Sequence, residues 1–321
     1  MPWARYLQSK LTTASATIER VPCMKAGISI ASLALLMVLA TAAVGAPPVP
    51  NADQAQTKLE TITIEAQRER AALERRVRKF VSGITKVPFQ DSLAQWQTEI
   101  PICFAIAGMT RDYGEFVLDR LSKIAESAGA PLARGSCKPN FYVIATKVPD
   151  ELVAALGKQE PELFGDASGK EINEFATASS PIRVWYNVAL YNVDGTPCGF
   201  ILLGKDSVLM CDGGSSSHIQ WGAVRDLSSV VVLIDTGRTK GITFEQLAAY
   251  TAMVGLAEIR ADTKLGDAPT ILRLLSDPAH APAEGLSTWD TAYLNALYHT
   301  NHSDRTQILD MGHWMLKKLA P

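Results

Sequence analysis

The chain has 321 residues, 47% of them hydrophobic, with 31 Lys and Arg against 33 Asp and Glu and a formal net charge of −2. That is enough apolar material for one large domain or two small ones. It is too little positive charge for a general binder of nucleic acid or anionic membranes.

The first segment with a clear meaning is Met24 to Ala46, MKAGISIASLALLMVLATAAVGA. Lys25 gives a basic start, an apolar run follows to Val44, and Val44-Gly45-Ala46 offers the small residues a signal peptidase cuts after. The competing reading is an uncleaved membrane anchor, because the run approaches the ~20 apolar residues that span a bilayer. The small side chains and the following Pro47-Pro48 favour cleavage. No Cys stands at the cut, so a lipid anchor is not expected. Residues 1 to 23 are either a long basic leader, with Arg5, Lys10 and Arg20, or follow from an upstream start, with Met24 the true beginning. The expected location is the periplasm or the outside of the cell, with membrane contact only through this segment if it stays uncleaved. The first 46 residues carry four basic and one acidic side chain, so the remainder has 27 basic against 32 acidic and a net charge near −5. The expected organisation is a leader and signal over 1–46, a flexible mature N-terminus over 47–60 and one α+β domain over 61–321, subdivided if anywhere near 165–180.

Five cysteines become four once the leader is removed with Cys23. An even count in an oxidising compartment favours two disulfides. Of the three connectivities, Cys103 to Cys137 and Cys198 to Cys211 are preferred. The first ties the apolar segment around Cys103 to the entrance of the segment starting at Phe141. The second closes a hairpin-like stretch, CGFILLGKDSVLMC, with a turn at Gly204-Lys205-Asp206. No C-x-x-C spacing supports a metal site at these thiols.

In chain order, Glu60 to Arg68 alternates like a strand, and RERAALERRVRKFVSGI follows as a charged helix with an exposed arginine face. The short Glu60–Arg68 stretch resembles the TonB box of TonB-dependent outer-membrane receptors, though no barrel follows it. An edge strand of the main sheet is the preferred reading, because a bare Ile-bearing edge invites aggregation. Docking to an envelope protein is the alternative. Cys103 to Ala107 is an apolar strand. Tyr113 to Ala128 is an amphipathic helix with Phe116, Leu118, Leu121, Ile124 and Ala125 on one side, stopped at Gly129. Strands are expected at Phe141–Ala145 and Ile182–Leu190, with a helix starting at Glu151. In the Ile182–Leu190 strand, Arg183, Trp185 and Tyr186 offer a ligand-facing surface, although any half-buried strand alternates so. A Gly213–Ser217 loop follows. Ser229 to Asp235, SVVVLID, reads as a strand buried on both faces. Phe244 to Ile259 is a long apolar helix, and Trp289 to Tyr298 starts a last helical region. The mixture of strands and helices implies an α+β fold with a mixed sheet and packed helices.

Motifs for chemistry are sparse. There is no G-x-S-x-G elbow, no P-loop and no G-x-G-x-x-G fingerprint. His299 and His302 lie three apart with Asp304 close by, a spacing that lets two imidazoles share a helical face. A polar surface is the commoner use of such residues. Glu258, Arg260, Asp262 and Asp267 cluster after the apolar helix, where ion pairing with Arg260, Lys264 or Arg273 is the expected role.

The order SVVVLID, EQLAAYTAMVGLAEIRAD, DAPTIL, AYLNALYHTNHSDRT, over roughly the last 90 residues, resembles that of an uncharacterised family of secreted, metallopeptidase-like bacterial proteins. There the helix carries a His-Glu pair. Here Met253 and Val254 stand at the two key positions, and only Glu258 keeps a carboxylate nearby. An H-E-x-x-H helix works because two imidazoles face one ion and the Glu activates its water. The resemblance therefore implies a zincin-like C-terminal half whose zinc site is lost. Met253 and Val254 are expected in the core, with Val254→Asp costly and Glu258→Gln cheap if no metal is bound. The functional expectation is an exported, non-enzymatic binding protein with no cofactor. The rival is a metal-dependent hydrolase built from Glu258, His299 and His302.

Overall fold

The structure, a computed structural model, describes residues 52–86, 92–192, 194–203, 206–211, 223–282 and 284–320. The signal segment, the Gly213–Ser217 loop and the turn residues Gly204 and Lys205 lie outside the described residues. The chain divides into two compact units, Met1–Glu65 and Ala66–Pro321. Two disulfides, a mixed sheet and seven α-helices make the described part an α+β protein.

The first helix, α1, runs over Ala52–Ile84. It stands where a strand was expected at Glu60–Arg68; residues 47–51 of the expected flexible stretch lie outside the described residues. The β-branched run Thr61 to Ile64 costs only a few tenths of a kcal/mol per residue in a helix. Ala, Gln, Lys, Leu and Glu flank it on both sides, and helix propagation across a short weak stretch is favourable once the helix exists. Ile64 remains 48% exposed, so its alternation with Ile62 does not mark a buried sheet face. Further along the same helix Val77, Phe80, Val81 and Ile84 are fully buried, an i, i+3, i+4, i+7 stripe.

The main sheet has four strands in the order β1-β2-β6-β3. Strands β1 (Phe104–Ala107), β2 (Phe141–Thr146) and β6 (Val224–Asp235) are parallel, and β3 (Ile182–Tyr191) runs antiparallel beside β6. Strands β4 (Cys198–Leu203) and β5 (Asp206–Cys211) form a separate antiparallel hairpin. Cys198 and Cys211 sit opposite each other in its register, Cα atoms 4.3 Å apart, and are bridged. Cys103 and Cys137 form the second bridge at 6.1 Å, closing a span of 34 residues just ahead of β1 and β2. Loops of these lengths restrict the unfolded chain by about 2 to 4 kcal/mol each.

Helices α2 (Arg111–Ala128), α5 (Phe244–Leu256), α6 (Thr288–His299) and α7 (Gln307–Leu319) share one core with one face of the sheet. Phe141, Val143 and Ala145 of β2 and Val230, Val232 and Ile234 of β6 point into it. The other face of the sheet is covered by α3 (Pro149–Gln159), a 3-10 turn over Pro161–Phe164 and α4 (Gly169–Ala176), which bury Leu233 against Val153, Phe164 and Phe175. The SVVVLID strand is thus buried on both faces, as an unbroken apolar run requires.

The α2 face differs from the expectation. Its buried residues are Val117, Leu121, Ala125 and Ala128, whereas Phe116 and Leu118 are 38% and 39% exposed. Residues two apart on a helix cannot share a face, so the stripe through Leu121 takes Val117 and leaves both neighbours outside. Gly129 ends α2 in the left-handed conformation, φ 85°.

Helix α5 carries Met253 and Val254 into the core at 0% and 3% exposure. Gly255 brings it close to the sheet: a Cβ there would lie 2.0 Å from the Phe141 ring. Any larger residue would push α5 off β2.

Candidate functional site

Ala257 leaves the helical conformation (φ −136°, ψ 142°) and turns the chain after α5 into an extended segment. That segment is sewn to the end of α1: the Ile259 and Thr85 backbones form an antiparallel bridge, and Arg260 N donates to Ile84 O at 2.9 Å. Glu258 is held there with its side chain 2% exposed. Arg225, at the start of β6, donates Nη1 to Oε2 at 2.7 Å and Nη2 to Oε1 at 3.2 Å. Lys86 donates to Oε1 at 2.7 Å. Glu258→Gln was expected to cost little if no metal is bound, and the structure argues against a small cost, because the buried Arg225 guanidinium pairs with this carboxylate. Its partners also differ from those expected. Arg260 does pair with a carboxylate of the cluster as expected, but with Asp262 at 2.7 Å, while Arg273 pairs with Asp277 at 3.4 Å and Asp267 with Arg76 at 2.8 Å. With both oxygens engaged by cations, Glu258 clamps the start of β6 to the segment after α5.

The last carbonyls of α5 are capped by aromatic side chains from three different segments. Tyr186 of β3 donates its hydroxyl to Val254 O at 2.6 Å, the Trp96 indole donates to Gly255 O at 3.0 Å, and Tyr298 of α6 donates to Leu256 O at 2.5 Å. These carbonyls have no partner within the helix, and buried ones require some other donor. Burial pushes the Tyr186 and Tyr298 phenols far above their ordinary range. Tyr293, paired with Thr85 at 2.9 Å, is pushed up to about 12 by the same cause. All three phenols stay protonated at physiological pH, and Tyr186 and Tyr298 act there as donors.

His299, at the end of α6, is exposed. Its Nδ1 lies 2.7 Å from Asn295 O and its ring stacks on Trp314 at 4.7 Å. His302 lies in the turn between α6 and α7, its Nε2 3.8 Å from Asp226 Oδ1, too far for a hydrogen bond. Burial lowers the His302 pKa, while Glu99 and Asp304 pull it the other way. Burial, with the negative charge of Glu99 as a second cause, raises the Asp226 carboxyl to about 6. Asp226 Oδ1 has no hydrogen-bond partner among the described residues, and neither has Oε1 of the neighbouring Gln95. The structure places Glu258, His299 and His302 in separate settings. Among the described residues no three His, Cys, Asp or Glu side chains form a group able to hold a metal ion.

Arg183 and Trp185 do not form an open surface. Arg183 is buried, binding Asp150 at 2.9 Å and the Ala176 carbonyl under α3 and α4. Trp185 stands edge-on to Phe164 and Phe175 at 5.7 and 5.5 Å.

Sequence reasoning passed over a cleft of about 340 Å3 beyond the C-terminal end of β6. Pro181, Ile242, Leu274, Leu275 and Pro278 give it apolar walls, and Arg238 and Lys240 of the β6–α5 loop line it as well. Both cations are exposed. The signal lay in TGRTKGI, two cations in a glycine-punctuated loop directly after a buried strand, the usual place for ligands in sheets with parallel strands. No family model matches this chain, and no curated protein or solved structure is significantly similar to it.

Proposed function

We propose that the protein is exported and acts by binding, on a zincin-like frame whose metal helix has become part of the core. The observation that carries this reading is the burial of Met253 and Val254 in α5, where the resemblance expects the His-Glu pair. Thioether and isopropyl groups packed against a sheet neither hold zinc nor activate water. The lone carboxylate beyond them, Glu258, is bound to Arg225 and Lys86. Export is supported by the two disulfides, which persist in oxidising compartments. Among the described residues no helix is long and apolar enough to cross a membrane.

Metal analysis of protein purified from the periplasm of an expression host tests the reading. The expected result is substoichiometric zinc, with unchanged thermal stability after chelation. One zinc per chain, lost in His299→Ala or His302→Ala, would replace it with the metal-dependent hydrolase.

A further inference from the structure

The cleft beyond β6 combines three properties that together specify a ligand. It is small, about 340 Å3, near the lower end of the range for small-molecule sites. Its walls are Pro and aliphatic side chains, and Gln246, which also lines it, is already committed. The Gln246 Oε1 accepts from Thr243 N at 3.2 Å, and its Nε2 donates to Pro282 O at 3.3 Å. Apart from the second Nε2 hydrogen of Gln246, the side-chain polar groups left to a ligand are the cations of Arg238 and Lys240.

These two cations have no carboxylate partner among the described residues, and no Asp or Glu lines the cleft. The nearest carboxylates along the chain are engaged elsewhere. Asp235 accepts from Gly237 N at 2.9 Å, and Asp277 receives Arg273 at 3.4 Å and His280 at 2.8 Å. Two unpaired cations beside an apolar wall favour a ligand that brings one anionic head and one compact apolar body. Arginine presents a planar fork that matches a carboxylate, and lysine adds a point charge. A strongly hydrated dianion such as phosphate would gain the charges but would have to shed water against Leu275 and Pro278 without compensation.

We propose that this cleft binds a small monocarboxylate bearing a short aliphatic or similarly compact apolar group, with Arg238 and Lys240 on the carboxylate and Ile242, Leu274 and Leu275 on the apolar end. The proposal rests on the reading of the protein as a binder. The zinc measurement uses none of these residues, so either result can fail alone.

Calorimetric titration of the full chain with hexanoate, hexanamide and inorganic phosphate tests it. Saturable one-to-one binding of hexanoate is expected, with hexanamide and phosphate each weaker by about tenfold or more. Arg238→Ala with Lys240→Ala should weaken hexanoate by about tenfold or more. Its melting temperature should stay unchanged, since both side chains are exposed. Leu275→Asp should weaken it as well, and hexanoate should bind more weakly as salt rises. The proposal is overturned by any of four results: no saturable binding of hexanoate up to about 10 mM, equal binding of acid and amide, tighter binding of phosphate, or undiminished binding by the double variant.

Discussion

Arg225 and Asp226 are neighbours at the start of β6, both nearly buried, and they meet opposite fates. Arg225 finds a carboxylate that accepts two hydrogen bonds from it, and Lys86, just after the end of α1, adds a second, half-exposed cation to the same carboxylate. Asp226 finds an imidazole 3.8 Å away and a second carboxylate, Glu99, whose charge opposes its own. Burial is the same in kind for both. What differs is whether a partner of the right sign and geometry arrives, and that alone separates a clamp from a destabilising charge.

The largest effect should come from breaking the clamp. Glu258→Gln leaves Arg225 buried beside a neutral amide, and urea unfolding should show a loss of about 3 to 5 kcal/mol. Replacing the pair together, Arg225→Met with Glu258→Leu, should recover most of it; a double variant as unstable as the single one would show that packing, and not charge, is what Glu258 supplies. Next comes Tyr298→Phe, which keeps the ring but removes the donor to Leu256 O. The expected cost is about 1 to 3 kcal/mol for the orphaned carbonyl, and an unchanged unfolding midpoint would mean that water replaces the hydroxyl.

Asp226→Asn sharpens the other half of the comparison. A carboxyl raised to about 6 in the folded protein, against about 3.9 unfolded, favours folding less as pH rises through that interval. Its cost is absent below the unfolded value and complete above pH 6. The variant should match the native protein near pH 4 and exceed it at pH 8 by about 1 to 2 kcal/mol. His302, with a lowered pKa, adds the reverse slope below about 6.5, and because it lies 3.8 Å from Asp226 the comparison is read at about pH 8, where His302 is neutral in both proteins. A variant less stable than the native protein at pH 8 would reveal a hidden donor to the carboxylate. The smallest effect belongs to His299→Ala, which removes a stacking contact with Trp314 on the surface and should cost about 0.5 to 1 kcal/mol.

Much of the sheet was legible because apolar runs have few uses: FYVIA, IRVWYNVAL and SVVVLID are strands in the structure. The two bridges were legible from an even cysteine count and the hairpin pattern around Cys198 and Cys211. The beginning of β6 was not, because Val224 to Ser228 is half polar and its burial depends on partners far away in the chain. Glu258 reaches Arg225 across 33 positions and Lys86 across 172. Pairing at that range leaves no local trace, and the nearby Arg260 and Lys264 offered a plausible but mistaken alternative. The N-terminal strand reading failed for a different reason: period-2 alternation over a few residues carries little weight against strong helix formers on both sides. The cleft escaped notice because its walls come from three separate stretches of chain, at Pro181, 238–246 and 274–278.

The aromatic caps on α5 have a kinetic consequence. An ordinary helix frays from its ends, so its terminal amides exchange with solvent through small local openings. To loosen its C-terminal end, α5 must release Tyr186 from β3, Trp96 from the segment before β1 and Tyr298 from α6 together, and withdraw Gly255 from the face of Phe141. No one-turn excursion achieves this. The amides of its last two turns should therefore exchange only when the whole of Ala66–Pro321 opens, and their protection factors should read out the global stability of that unit directly.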